Sequence, residues 1–357
     1  MLELLKQLIN TPSFSSEERA TADIIERVLR DAGANVERYG NNVVSRMDHT
    51  SDQAGPRLYR LLLNSHHDTV RPGEGWTHDP LTAVVEHGKL YGLGSNDAGG
   101  ALVMMLAAYL HFYTRTDLPV QCVFAATAEE EISGPNGMAL LSRDVFSMMP
   151  IDLAIIGEPT GMQMAVAEKG LMVLDCVAHG RTGHAARNEG INAIYAAQTD
   201  IDWFRTHQFE RSSPVLGNVK MTVAIINAGS QHNVVPDRCH YVVDVRVTDV
   251  YTNEEVLEEI RRHVASEVTP RSMRLAPSSI PLDHPLVLAG IDMGLPSYGS
   301  PTMSDQSLLP YGVPSLKIGP GDSARSHTPD EWMGVAELEE GIATFITLLE
   351  TMMRRML

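Results

Sequence analysis

Six acids and two histidines in this 357-residue chain stand at positions where metal chemistry could be built. The run Leu61-Leu62-Leu63 reads as a buried strand that ends in Asn64-Ser65-His66-His67-Asp68. Side chains alternate along a strand, so His66 and Asp68 share a face and His67 takes the other. Asp97 follows in Tyr91-Gly-Leu-Gly-Ser-Asn-Asp97-Ala-Gly-Gly100, where glycines let the backbone approach a ligand closely. Two more apolar runs end in acids: Val120–Ala126 leads to Glu129-Glu130-Glu131, and Asp152–Gly157 leads to Glu158. His327 sits in a loop spanning 319–332. Parallel α/β sheets open the C-terminal ends of their strands onto one edge, where ligands bind. Imidazole nitrogen and carboxylate oxygen both suit zinc. His66, Asp97, Glu131, Glu158 and His327 fit two cations with Asp97 shared between them and two further ligand pairs. Three consecutive glutamates at a buried strand end would repel one another unless cations sat among them.

The elements that must carry these residues follow from periodicity. Residues 1–9 read as a short helix ending near Thr11-Pro12. Ser15-Ser16-Glu17-Glu18 reads as a capping box opening a helix to about Asp31. Asn35–Tyr39 and Asn42–Met47 are β-rich, Thr50–Pro56 is a polar loop, and Arg57–Asn64 is the strand that delivers His66. Arg71–Pro80 is a long irregular segment of the kind that often carries function. Lys89–Gly92 is a short strand, and Ala101–Tyr113 is apolar nearly all round, as a buried helix is. The texture changes near Ala167-Glu168-Lys169-Gly170. Strands Leu171–Ala178, Val219–Asn227 and Cys239–Thr248 then alternate with helices Gly190–His207 and Asn253–Glu267, a string long enough for its own α/β sandwich. A Pro-rich return at 277–285 leads to a helix His284–Gly294, a strand Pro314–Ile318 and an amphipathic helix Val335–Met353. The expected fold is α/β: a mixed, mostly parallel sheet flanked by helices, split as 1–168 and 283–357, with the sandwich inserted at 169–282.

The bulk numbers narrow the function. A net charge of −17 without a Lys/Arg cluster argues against nucleic acid as a partner. No apolar run reaches the length of a membrane span, and the N-terminus lacks the marks of a signal peptide. Cys122, Cys176 and Cys239 are isolated from one another, as small buried hydrophobes in a reducing compartment would be, which points to the cytoplasm. The glycine run around Asp97 does not make a phosphate loop, because an acid stands where the third glycine belongs. Most of the 14 histidines, among them His49, His78, His207 and His284, read as structural, and so does His67. The 18 methionines read as core filler.

The stretches SHHDTV (65–70), GWTHDPL (75–81), KLYGLGSNDAGGALV (89–103), FAATAEEEISG (124–134), IIGEPT (155–160), GRTGHAA (180–186), HNVVPD (232–237) and KIGPGDSARSHTPDEW (317–332) span nearly the whole chain. Together they resemble the di-zinc aminoacylase/carboxypeptidase superfamily, within it the acetylornithine deacetylase and succinyl-diaminopimelate desuccinylase branch. The resemblance implies two Zn2+, with cobalt or manganese as substitutes. It pairs His66 with Glu158 and Glu131 with His327, bridged by Asp97. It makes Asp68 the residue that fixes the His66 tautomer, and Glu130 the general base. It also implies a cis peptide at Asp97-Ala98. The family's usual Asp-Glu-Glu stands here as Glu129-Glu130-Glu131, and Arg187 stands where relatives often have proline. The inserted domain resembles the family's lid, which dimerises. His184 matches a histidine that reaches the neighbouring subunit's site as an oxyanion donor, and Asn233 and Arg246 match positions that hold a substrate α-carboxylate. The implied reaction is hydrolysis of an N-acyl amino acid by a homodimer. N-acetylornithine, or an acylated citrulline, in arginine biosynthesis comes first. Succinyl-diaminopimelate or a small peptide is the alternative. Outside enzymes the alternative is a metal-free relative, which would be expected to lack ligands or the base that this chain has.

Overall fold

The computed structural model describes residues 1–47, 59–187 and 189–357. The loop Thr50–Pro56, the first residues of the expected strand Arg57–Asn64 and His49 lie outside the described residues. The chain divides into two compact units. One comprises Met1–Val166, Ser279–Tyr298 and Ser304–Leu357; the other comprises Ala167–Ser278 and Gly299–Met303.

The first unit is built on a sheet whose neighbours run, in order, Val36–Tyr39, Asn42–Arg46, Val120–Thr127, Tyr59–His66, Leu153–Ile156 and Ser315–Lys317. The last four are parallel. The hairpin at one edge is antiparallel, and so is the pairing of Lys317 with Ala165 at the other side. Leu61, Leu62 and Leu63 are all fully buried although they alternate in direction, because both faces of the sheet are covered. Leu62, Val123 and Ile156 pack with Met138, Leu141 and Phe146 on one face. The helix Gly100–Phe112 lies against Tyr59–His66 and Val120–Thr127, and is itself covered by the helix Val335–Met356. That position between two layers explains why it is apolar nearly all round.

The chain leaves His66 and next enters the sheet on one side, at Val120–Thr127, then on the other, at Leu153–Ile156. The crevice at such a switch point is where α/β sheets bind ligands. A small antiparallel sheet of Val84–Glu86, Lys89–Tyr91 and Trp332–Gly334 ties the loop that carries His327 to the turn that carries Asp97. Of its three strands the sequence pattern marks only Lys89–Gly92, since three-residue strands leave almost no periodic signal.

The expected capping box is absent. The second helix begins at Arg19, and Glu18 makes no cap bond. The Glu18 carboxylate is fully buried instead, and accepts hydrogen bonds from Ser16 N at 2.5 Å, Asn41 Nδ2 at 2.8 Å and Glu129 N at 3.2 Å. A long-range demand from the turn after Val120–Thr127 has taken the side chain that local geometry would use as a cap.

The second unit is a four-stranded antiparallel sheet ordered Lys220–Ala228, Arg238–Val247, Gly170–His179 and Glu267–Pro270. Helices Ala193–Thr206 and Asn253–His263 cover one face. Leu174, Cys176, Tyr241 and Val243 pack there with Ala197, Phe204 and Ile260. Thr252 and Glu255 form a reciprocal capping box at the second helix. That helix is shorter than the expected Asn253–Glu267. The buried Asp200 carboxylate accepts the N–H groups of Ala265 at 3.1 Å and Ser266 at 2.9 Å, which turns the chain out of the helix and into the edge strand Glu267–Pro270. Among the described residues no helix is long and apolar enough to cross a membrane.

Candidate metal centre

His66 is the last residue of the central strand and is 1% exposed. Its Nδ1 lies 3.0 Å from the Asp68 carbonyl oxygen and 3.5 Å from Asp68 Oδ1. An Nδ1–H donated to that carbonyl leaves Nε2 with a free lone pair, and Nε2 points at Asp97 Oδ1, 3.3 Å away. The partner that best fixes the ring is therefore the main chain of Asp68. The Asp68 carboxylate does a second task. Its Oδ1 accepts from Glu130 N at 3.0 Å, and its Oδ2 accepts from Glu131 N at 3.2 Å and Ser15 Oγ at 2.7 Å. Burial alone would raise the Asp68 carboxyl, but His66 and the Ser15 hydroxyl hold it below the usual range.

Asp97 sits between the two histidines. Its Oδ1 faces His66, and its Oδ2 lies 3.6 Å from His327 Nε2. The peptide from Asp97 to Ala98 is cis. Glu131 Oε2 is 2.9 Å from His327 Nε2, and Glu130 Oε2 is 3.9 Å from His66 Nε2. Glu129, at φ +56°, turns away from the cluster and accepts from Ser16 Oγ and Asn136. The turn is tight enough that a Cβ at Gly137 would lie 1.9 Å from the Ala128 carbonyl oxygen, so only glycine fits.

Two groups of ligand atoms result, each with all atoms within 4.8 Å of one another: His66, Asp97 and Glu158, and Asp97, Glu131 and His327. Asp97 belongs to both. Glu158 Oε1 is buried without a hydrogen-bond partner. Burial, with Asp97 and Asp305 nearby, pushes the Glu158 carboxyl up to about 8. Burial and the carboxylates of Glu158, Asp305 and Glu131 likewise push Glu130 well above the usual range. The hydrogen bond to Glu131 pushes His327 up to about 9. An orphaned buried carboxylate oxygen, crowded acids and two imidazoles make a donor set that fits a pair of divalent cations, whose charge would relieve the crowding.

The sequence reading missed Glu331 and Asp305, which support this set, and Asp330, which fastens a neighbouring loop. Glu331 receives three main-chain N–H groups from the turn 94–97. Asp305 accepts from Thr127 Oγ1 at 2.6 Å beside the cluster. Asp330 accepts from Thr77 N, Thr77 Oγ1 and His78 N. Glu331 and Asp330 were visible in HTPDEW, but nothing in their spacing separates an amide acceptor from a ligand. His67 behaves as the alternation predicts. It is buried on the other side, with Nδ1 2.9 Å from Thr21 Oγ1 and Nε2 3.1 Å from the Asn41 carbonyl oxygen.

His184, Asn233 and Arg246 lie in the second unit. His184 is exposed on the short strand Gly183–His184, which pairs with Val234–Val235, and Ala185 N donates to the Asn233 carbonyl at 3.0 Å. His184 and Asn233 are thus neighbours. Arg246 is not with them. It lies eight residues along the strand from Arg238, about 26 Å in an extended chain, and forks onto Asp244 at 2.8 and 3.0 Å. Lys220 is its cross-strand partner. Burial, then the charges of Lys220 and Arg246, lower the Lys169 ammonium, so three cations gather at this end of the sheet.

A match to peptidase family M20/M25/M40 covers residues 62–351. The chain belongs to that family of metallo-hydrolases. It is 28% identical over 367 residues to an acetylornithine deacetylase of Proteus mirabilis, covering 95% of this chain and 93% of that protein. It is 29% identical over 384 residues to a succinyl-diaminopimelate desuccinylase of Methylobacterium radiotolerans, covering 98% and 96%. In structure it is similar to the YXEP protein of Bacillus subtilis, described as a dinuclear metal binding peptidase of the M20 family. The TM-score is 0.75 at 14% identity, covering 99% of this chain and 97% of that one. The mixed, mostly parallel sheet with its helices is the fold shared with that structure.

Proposed function

We propose that this protein hydrolyses the amide bond of an N-acyl amino acid, with N-acetylornithine as its substrate in a step of arginine biosynthesis in the cytoplasm. The single observation that carries the hydrolytic reading is Asp97, whose two carboxylate oxygens face two different histidines, each backed by a further glutamate. His66 and Glu158 would hold one cation, Glu131 and His327 the other, and Asp97 both. Zinc is the metal proposed. When bound, the pair supplies Lewis acidity to the scissile carbonyl and acidifies the attacking water.

The chain's own residues do the rest. Glu130, left outside both ligand groups, takes the proton of the attacking water on a carboxylate oxygen and passes it to the leaving amine. Asp68 holds the Glu130 and Glu131 amides, and so aims base and ligand together. His184 donates to the developing oxyanion from the second copy of a homodimer. Because Asn233 sits beside His184, it is assigned to the same copy, while Arg246 binds the substrate carboxylate from the other. The edge strand Lys220–Ala228, with Ile225 and Ile226 each about half exposed, supports pairing through the second unit.

A second reading, a succinyl-diaminopimelate desuccinylase, is favoured by the cluster of Lys169, Lys220 and Arg246, which suits an additional substrate carboxylate. A panel of acetyl and succinyl derivatives of ornithine, citrulline and diaminopimelate separates the two. Glu130→Gln is expected to keep two metals and lose turnover by about 10²- to 10⁴-fold. Near-normal turnover in that variant would remove Glu130 from the mechanism.

A further inference from the structure

The turn that carries Asp97 has no strand ladder to satisfy its amides. One side chain satisfies three of them. Glu331 Oε1 accepts from Asn96 N at 2.8 Å and Asp97 N at 2.9 Å, and Oε2 accepts from Gly94 N at 3.1 Å. Glu331 is 2% exposed. Its main chain is fastened as well: its carbonyl accepts from Gly92 N at 3.0 Å, and the next residue, Trp332, pairs with Tyr91. Four residues earlier lies His327, which faces Asp97 Oδ2 and Glu131. We infer that Glu331 is a positioning residue, whose carboxylate sets the aim of Asp97 between the two cation positions and fixes it relative to His327. This rests on the dinuclear reading above.

The geometry calls for a carboxylate. Three converging N–H donors need lone pairs on two oxygens, and an ionised Glu offers about four acceptor sites. Glutamine keeps one carbonyl oxygen, and its amide NH2 meets the third donor with a donor. The neighbouring Asp330 gives an internal comparison. It clamps a different segment in the same way, taking Thr77 N at 2.8 Å, His78 N at 3.0 Å and Thr77 Oγ1 at 2.6 Å. That segment carries none of the proposed ligands. The tandem acids thus separate support of a ligand-bearing turn from support of an ordinary loop.

The test uses the full chain and zinc itself. Zinc affinities of wild type, Glu331→Gln and Asp330→Asn are measured by chelator competition, and the absorption spectra of the cobalt-loaded proteins are compared. Glu331→Gln is expected to lose about 10- to 100-fold in affinity for at least one equivalent, the range seen when a group supporting a ligand is lost. Its cobalt spectrum is expected to change, and kcat to fall more than KM rises. Asp330→Asn is expected to melt at a lower temperature with both affinities and the spectrum intact. Should the glutamine variant fail to fold, Glu331→Asp keeps the charge but falls one methylene short, and the same loss of affinity is expected of it. Wild-type affinities and spectrum in the folded Glu331 variant would overturn the assignment, and so would an equal loss in Asp330→Asn. Fewer than two equivalents bound by the unmutated chain would instead overturn the dinuclear reading, and is told apart because no substitution is involved.

Discussion

Removing the Asp68 carboxylate tests whether the centre is held by its backbone or only by its ligands. The carboxylate is buried and accepts three hydrogen bonds, from Glu130 N, Glu131 N and Ser15 Oγ. Hydrogen bonds to a charged acceptor contribute about 1.5–3 kcal/mol each, and a buried donor left unpaired costs about 1–3 kcal/mol. Asp68→Ala is therefore expected to cost about 3–9 kcal/mol, a large part of the ~5–15 kcal/mol that holds a protein folded. Asp68→Asn keeps one carbonyl oxygen but turns an amide donor toward the second N–H, so about 1–3 kcal/mol is expected. The His66 ring keeps its bond to the residue 68 carbonyl in both variants, since that contact is main chain. Metal content should survive in Asp68→Asn while turnover falls, because Glu130 and Glu131 lose their shared anchor. The assay is urea unfolding in a Trp203→Phe background, so that Trp76 and Trp332 report on the first unit, fitted with separate transitions for the two units. Metal analysis runs alongside. Ser15→Ala should cost less in the Asp68→Asn background than alone, because the two groups share one hydrogen bond. If Asp68→Asn unfolds with the wild type yet loses metal, the carboxylate acts on the His66 ring and not on the turn, and the reasoning fails.

Two further outcomes follow from burial. Cys122, Cys176 and Cys239 are all buried and unpaired, and burial pushes the Cys122 and Cys176 thiols up to about 12. A chromogenic disulfide at pH 8 should therefore find no reactive thiol in the folded protein and three after denaturation; rapid labelling of the folded chain would contradict this. Phe345 is fully buried on the helix Val335–Met356, so Phe345→Ala should cost about 3–5 kcal/mol in the first unit's transition, and a loss under 1 kcal/mol would show that this helix is not part of the core.

The strands that deliver His66, Glu130, Glu131 and Glu158 were legible because each is an apolar run that stops at an acid or a histidine. Local patterning carries that kind of information. Glu18 shows where it ends. Ser15-Ser16-Glu17-Glu18 has the composition of a cap, yet the carboxylate goes to the Glu129 amide, 111 residues away. The same holds for Asp200, whose position in a helix gives no hint that it ends a different helix at Ala265 and Ser266. The strand Trp332–Gly334 was hidden because its partner, Lys89–Tyr91, is remote and both are short. What local sequence does not encode is which distant amide a side chain will satisfy.

That limit bears on the charge of −17, which composition alone explains as solubility. Part of the excess acid has a more specific use. The segments that bring ligands to the centre are turns, and turns leave amides without a ladder. Asp68 serves the amides of Glu130 and Glu131; Glu331 serves those of Gly94, Asn96 and Asp97; Glu18 serves those of Ser16 and Glu129. Each is an acid fastening the backbone of a ligand, a neighbour of a ligand or the turn that leads to one. A lysine or arginine could not do this, since its charged group has no lone pair to offer an N–H. Building a cation site from loops thus recruits a second layer of carboxylates around the first. The repulsions gathered there, Glu331 against Asp97 and Asp97 and Asp305 against Glu158, grow more costly as burial increases, and a bound cation pair offsets that cost. On this argument, stripping metal should destabilise the first unit more at pH 8 and above, where Glu158 is ionised, than at a pH low enough to protonate Glu158 and Glu130, whose carboxyls lie above the usual range without cations. A chelator-induced loss of stability that stays constant from pH 8 down to pH 5 would show that the carboxylate crowding is relieved by the protein alone.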